Sequence, residues 1–220
     1  MPELPEVQTT VDGLNKTVKG RKIIDISTTY NSPYYHSKEE IKNPAFFKKF
    51  KKAVIGQKIL KAERRAKNIL IHLSGGDTIL AHMKMTGYFF YNPHPEAEFI
   101  RLTFTLDNSK TLAFSDMRKF AKVTLVKTKD LRESLHLKDL GPEPLEKNFQ
   151  FPIFNSQLHK KPKGKIKTML MDQTLIAGIG NIYSDEILWR GEVHPLSIVE
   201  EIPEKNLKEM FKATKETLTK

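Results

Sequence analysis

Apolar residues recur at Val7, Val11, Leu14 and Val18, the stripe of an amphipathic helix, and Pro5 falls in its first turn. The spacing predicts a helix from residue 5 to about residue 18. From Lys22 to Val126 the period changes. The runs KIIDISTTY, KILKAERR, NILIHL, TILAHMKM, TGYFFY, FIRLTFTL, TLAFSD and KVTLVKT are rich in β-branched and aromatic residues, and several alternate apolar with polar positions. Turn signals such as GGD at 75–77 and DNSK at 107–110 separate some of them. They predict an antiparallel sheet closed as a sandwich or barrel, with a short basic helix over 41–52. The stretch 131–150, with Pro142 and Pro144 in LGPEPL, reads as a connection, because proline interrupts regular structure. Beyond it, 164–172, 181–190 and 203–219 follow a helical period, the last with Pro203 at its first position and Leu207, Met210, Phe211 and Leu218 on its apolar face. The expected fold class is α+β: an N-terminal helix and β-sandwich over 1–130, a linker over 131–150, and an all-helical domain over 151–220.

Length and composition fit this division. The chain has 220 residues, 39% hydrophobic and 29% charged, a balance that folds rather than staying disordered. Its formal net charge of +11 favours a polyanionic partner, nucleic acid first and an anionic membrane surface second. No stretch approaches the roughly 18 apolar residues of a membrane span, and the start MPELPEVQTT lacks a signal peptide's basic end and apolar run, so the expectation is a soluble, unexported, cytoplasmic protein. Two runs concentrate the charge. Nine Lys or Arg between Lys48 and Lys67 face the single acid Glu63, and five Lys between His159 and Met171 face none. Most charge runs are solvated faces, but two in separate regions can form opposite walls of one groove. The absence of cysteine excludes disulfides and every thiolate zinc site.

The N-terminus offers chemistry of its own. Removal of Met1 by an aminopeptidase leaves Pro2 with a free secondary amine, stiffened by Pro2 and Pro5 and leading directly into a helix. An ordinary α-amino group titrates near about 7.7–8.0, so a useful fraction is neutral and nucleophilic at physiological pH. Attack on a sugar C1′ gives an iminium with no second proton to lose, a permanent electron sink. Glu3 beside it can move protons. Met-Pro-Glu alone is an ordinary chain start, and the wider context decides.

MPELPEV at the start, HMKMTG at 82–87, LGPEPL at 140–145 and LIAGIGNIYSDEILWRGEVHP at 175–195 together resemble the bacterial formamidopyrimidine-DNA glycosylases of the Fpg/Nei family, over nearly the whole chain. Leu4 is similar to the purine-lesion branch. The resemblance implies a bifunctional enzyme that flips a damaged base from duplex DNA, displaces it with the Pro2 amine, and cleaves the strand by β- and δ-elimination. It implies Pro2 as nucleophile, Glu3 as acid/base, Glu6 as a buried carboxylate supporting the N-terminus, and Lys67, in an apolar strand, as a grip on a phosphate near the lesion. It implies phosphate contacts from His82, Lys119, Lys163 and Asn181, with the backbone N–H groups of the Gly-rich helix-two-turn-helix turn beside Asn181. Met85, Arg118 and Phe120 are implied as the wedges that fill the hole left by flipping, which costs a few kcal/mol.

Two departures stand out. Lys119 takes the place of a phosphate-binding arginine and cannot make the same bidentate contact, and Ala97, Glu98 and Phe99 replace a His-rich patch. The family continues beyond the position of Lys220 into a lesion-capping loop and a four-cysteine zinc finger, so the expectation is a short form without the finger, either naturally minimal or truncated, a monomer needing no metal and no cofactor. The competing expectations are a non-catalytic or lyase-only protein that binds abasic or damaged DNA, and a basic RNA-binding protein, which leaves the N-terminus and the wedges without a purpose.

Overall fold

The computed structural model describes residues 1–32, 34 and 38–219. Contacts divide the chain into two compact units. The first comprises Met1–Pro2, Glu6–Arg64 and Asn68–Ser134; the second comprises Glu3–Pro5, Arg65–Lys67 and Leu135–Lys220.

Helix α1 runs from Leu4 to Thr17 and buries the predicted stripe of Val7, Val11 and Leu14 in the core of the first unit. All eight predicted runs form strands: β1 (Ile23–Thr28), β2 (Ile59–Arg65), β3 (Asn68–Leu73), β4 (Asp77–His82), β5 (Gly87–Tyr91), β6 (Ile100–Leu106), β7 (Thr111–Asp116) and β8 (Lys122–Lys127). They make two four-stranded sheets, ordered β1-β6-β7-β5 and β2-β3-β4-β8. Ile23, Ile26, Phe104 and Phe114 from one sheet, and Ile69, Ile71 and Ile79 from the other, share one apolar core, as a sandwich requires. The basic helix α2 is Pro44–Val54, shifted along from 41–52 because Asn43 caps it: its Oδ1 accepts from Ala45 N, with Pro44 in the first turn.

The second unit contains α3 (Phe151–Leu158), α4 (Ile166–Met171), α5 (Asn181–Arg190) and α6 (Glu204–Leu218). Leu4, Phe149, Phe154, Leu170, Ile187 and Met210 belong to its core. Helix α3 is an element that the periodicity missed, since eight residues give only the single buried pair Phe154 and Leu158 to count. Pro203 caps α6 from outside rather than occupying its first position. The 131–150 segment contains turns and bends but no strand or helix, and Leu137, Glu143 and Phe149 within it are buried.

Candidate active site

Glu3 is 2% exposed, and its carboxylate is met by the beginning of α5. Oε2 accepts from Gly180 N at 2.7 Å and Tyr183 N at 3.3 Å, and Oε1 accepts from Ile182 N at 2.8 Å. These N–H groups have no intrahelical acceptor, and the helix terminus is the partially positive end, so a carboxylate is the fitting partner. The next residue is tied down as well, Leu4 N donating to Gly178 O at 3.1 Å. This approach explains both glycines of the turn. Gly178 has φ +95°, and a Cβ there would press on Leu4 Cδ1 at 2.7 Å; a Cβ on Gly180 would overlap the Glu3 carboxyl group.

The turn between α4 and α5 is built by two side chains. Asp172 Oδ1 accepts from both Thr174 N and Thr174 Oγ1. Gln173 donates to Met171 O and Ile179 O and accepts from Gly178 N, so its amide spans the turn. LGPEPL completes the frame: Gly141 N donates to Gln173 O at 2.8 Å and Ala177 N to Pro142 O at 3.0 Å. Glu143, 5% exposed, accepts from Arg65 Nη1 at 2.9 Å and Ala66 N at 2.5 Å, while Arg65 Nη2 donates to the carbonyls of Leu140 and Gly141. Arg65, Glu143 and Gln173 are structural members of this region that the sequence reading did not single out. A carboxylate flanked by two prolines in an apolar hexapeptide was the signal for Glu143.

Three expectations need correction here. Glu6 is exposed, because it lies off the helical stripe that buries Leu4, Val7 and Val11; the buried carboxylates are Glu3 and Glu143. Lys67 is buried, at 6% exposure, but it lies in the two-residue turn between β2 and β3 rather than in a strand. The amides of Gly180, Ile182 and Tyr183 are taken by Glu3 and not open to a phosphate, while the Asn181 side chain is exposed.

The 159–171 lysine run is also less bare than its sequence. Lys161 donates to Asp172 at 2.7 Å, and Lys167 donates to Asp185 at 2.8 Å. Burial pushes the Asp172 carboxyl up, but Lys161 and Thr174 outweigh it and hold the group below the usual carboxylate range. Lys163 and Lys165 are exposed and have no side-chain partner among the described residues.

In the first unit, Met85, Arg118 and Phe120 come together on two neighbouring loops, 83–86 between β4 and β5 and 117–121 between β7 and β8. Met85 is 49% and Phe120 53% exposed, large apolar side chains left in water. The Arg118 guanidinium joins them, with Nη1 at 3.2 Å from Met85 Sδ and Cζ 5.5 Å from the Phe120 ring centre. Asp116, fully buried, organises the pair of loops. It accepts from Thr86 Oγ1, Tyr30 Oη and Ala121 N, and Thr86 Oγ1 in turn accepts from Arg118 N. Lys119 is exposed between Arg118 and Phe120 with φ 57°, and half-buried His82 ends β4 with Nδ1 accepting from Lys84 N. Pro2 is half-buried and joined through its nitrogen to an exposed Met1.

The family profile of the formamidopyrimidine-DNA glycosylase N-terminal domain matches residues 1–123, and that of the glycosylase H2TH domain matches 140–220. The chain belongs to the formamidopyrimidine-DNA glycosylase family. The glycosylase of Ligilactobacillus salivarius is 35% identical over 210 residues, covering 94% of this chain and 72% of that one. The Streptococcus pneumoniae serotype 4 glycosylase is 39% identical over 197 residues, 89% and 68% of the two chains. Among solved structures, Lactococcus lactis Fpg bound to DNA containing N7-benzyl-Fapy-dG is similar with a TM-score of 0.87 and 31% identity, covering 99% of this chain and 78% of that one. The same Fpg on abasic-site DNA is similar at TM-score 0.87 and 31% identity over 99% and 77%. Glu3, the two-turn motif and the loops 83–86 and 117–121 lie within the two matched glycosylase segments. No helix among the described residues is long and apolar enough to cross a membrane.

Proposed function

We propose that this glycosylase-family chain removes oxidised bases of the formamidopyrimidine and 8-oxoguanine type from duplex DNA and cleaves the strand at the site it creates. Once Met1 is gone, the Pro2 nitrogen forms a bond to C1′ as the glycosidic C–N bond breaks; the base leaves with that bond's electron pair and takes up a proton. The amine gives up its own proton, C1′–O4′ opens, O4′ is protonated, and the nitrogen lone pair completes a cationic iminium. A base removes a C2′ proton, the C–H electron pair flows into this sink to give an enamine that expels the 3′ phosphate, and loss of a C4′ proton in a second elimination expels the 5′ phosphate.

The observation that carries this reading is the fixed carboxylate of Glu3, the residue after Pro2. The amides of Gly180, Ile182 and Tyr183 hold this carboxylate at the residue next to the amine, where it can move a proton to or from the opening sugar. Lys67, His82, Lys119, Lys163 and Asn181 are assigned to phosphates. Met85, Arg118 and Phe120 are assigned to the void in the stack, an assignment supported by two large apolar side chains exposed beside one guanidinium. Glu6 is assigned a place in the first turn of α1, where its charge suits the helix terminus. The bacterial origin of the relatives supports action on the chromosome, in the cytoplasm.

Borohydride trapping tests the proposal, with duplexes carrying 8-oxoguanine, a formamidopyrimidine or a natural abasic site. Covalent adducts on the base lesions and the abasic duplex are expected. Adducts on the abasic duplex alone would reduce the activity to a lyase, and none at all would overturn the reading.

A further inference from the structure

Each loop that holds an exposed apolar wedge is flanked by a lysine that no carboxylate answers. Lys84 directly precedes Met85, and Lys122 opens β8 two residues after Phe120. The sheet register draws them together. His82 at the end of β4 pairs with Lys122 on β8, and Lys84 N donates to His82 Nδ1 at 3.0 Å, curling the turn back toward that pair. On the other side of β8, Ile41 N donates to Val123 O at 3.0 Å and Thr124 Oγ1 donates to Glu39 O, which brings Lys42 alongside. Lys42 is buried, 3.9 Å from Glu40 and 5.7 Å from the Tyr30 ring centre. Neither Lys84 nor Lys122 has an ion-pair or hydrogen-bond partner for its ammonium among the described residues.

Burial pushes the Lys84 ammonium below the usual lysine range, and the charges of Lys122 and Lys42 push it further. Lys84 also takes φ 53°, a left-handed conformation that side chains adopt at a cost and that concentrates at ligand clamps. A half-buried cation in a strained turn, repelled by its neighbours, is a group whose missing partner is an anion.

We propose that Lys84 and Lys122, with His82 between them and Lys42 behind, bind a backbone phosphodiester of the DNA that the wedge residues enter. This rests on the glycosylase reading above. Consecutive Cα atoms are about 3.8 Å apart, so a Met85 side chain inserted in a base stack brings Lys84 to the sugar–phosphate edge of the same step. Lys122 stands in the same relation to Phe120, and the phosphate supplies the negative charge that both lysines lack.

The test is equilibrium binding of the full chain to a duplex with one tetrahydrofuran abasic analogue, across a potassium chloride series, alongside borohydride trapping of the wild type on 8-oxoguanine DNA. Lys84→Ala/Lys122→Ala should lower the log–log salt slope by about 1, at roughly 0.9 per phosphate contact. Lys84→Arg/Lys122→Arg should restore it. The control Lys205→Ala/Lys212→Ala, which removes two exposed charges from α6, should leave the slope as it was. An unchanged slope in the first variant, or an equal drop in the control, overturns the phosphate site even where the wild type traps normally. A wild type that never traps overturns the glycosylase reading and this inference with it.

Discussion

Thr86 Oγ1 donates to Asp116 Oδ1 at 2.8 Å, and this bond joins the loop of Met85 to the loop of Arg118 and Phe120. Asp116 Oδ2 meanwhile accepts from Tyr30 Oη at 2.8 Å and Ala121 N at 2.9 Å. Burial first, and the neighbouring carboxylate second, push the Tyr30 phenol far above its usual value, so it remains a donor throughout the working pH range. Asp116→Asn keeps the volume but turns an amide N–H₂ toward a donor. Melting should show a loss of about 1–3 kcal/mol, the usual cost of unpaired buried groups. Affinity for a lesion duplex should fall more than affinity for undamaged DNA, and equal losses would mean that Asp116 supports the sandwich without positioning the wedges.

Met85→Ala and Phe120→Ala truncate side chains already in water, so stability should change by less than about 0.5 kcal/mol. Lesion binding should weaken more than non-specific binding, because the wedges act only after a base has left the stack. Comparing dissociation constants for tetrahydrofuran and undamaged duplexes reads this directly.

Gly180→Ala sets a methyl group against the Glu3 carboxyl. The carboxylate must give way, so excision should fall toward the level of Glu3→Gln, itself expected at about 10²–10⁴ below wild type. Single-turnover excision of 8-oxoguanine measures both, and Gly13→Ala, where nothing lies within 4 Å of the added Cβ, is the control. Wild-type rates in Gly180→Ala would show that the contact between Glu3 and α5 is dispensable.

A residue or tag retained before Pro2 blocks the amine by making it an amide. Trapping and strand cleavage should disappear while duplex binding persists, with intact mass reporting which N-terminus is present. Undiminished trapping by protein that keeps Met1 would end the Pro2 mechanism.

The lysines of the 159–171 run should separate into two classes. Lys163→Ala/Lys165→Ala should lower the salt slope of DNA binding by up to about 2, since both ammonium groups are exposed and have no partner among the described residues. Lys161→Ala should act on stability instead. Asp172 is held below its usual range in the folded chain, so its contribution is present above the unfolded carboxylate value of about 3.9 and is lost as pH falls through the lower folded value. The stability gap between wild type and Lys161→Ala should therefore close in acid melts. A gap that stays constant with pH would remove Asp172 from the account.

The strands, α1 and α6 were legible because each repeats its period often enough to be counted. Helix α3 was not, since two buried residues make no period. Within the candidate site, Glu3 and the two-turn glycines were visible as a motif, yet their contact was not, because a pair 177 positions apart leaves no trace in local spacing. The same blindness hid Asp172 and Asp185 as partners of lysines that look unopposed in sequence. Glu6 differs: the resemblance implied a buried carboxylate, while the helical angle already present in the stripe puts it in solvent.

The separation of Glu3 from Gly180 bears on when this N-terminus can be processed. A ribosome adding about 5–20 residues per second leaves roughly ten to forty seconds between the emergence of the first residues and the synthesis of α5. During that interval the carboxylate has no amides to hold it, and Met1 and Pro2 hang from an unfinished chain within reach of an aminopeptidase. The contact that later fixes Glu3 beside the amine thus closes over a terminus that has already had time to be trimmed.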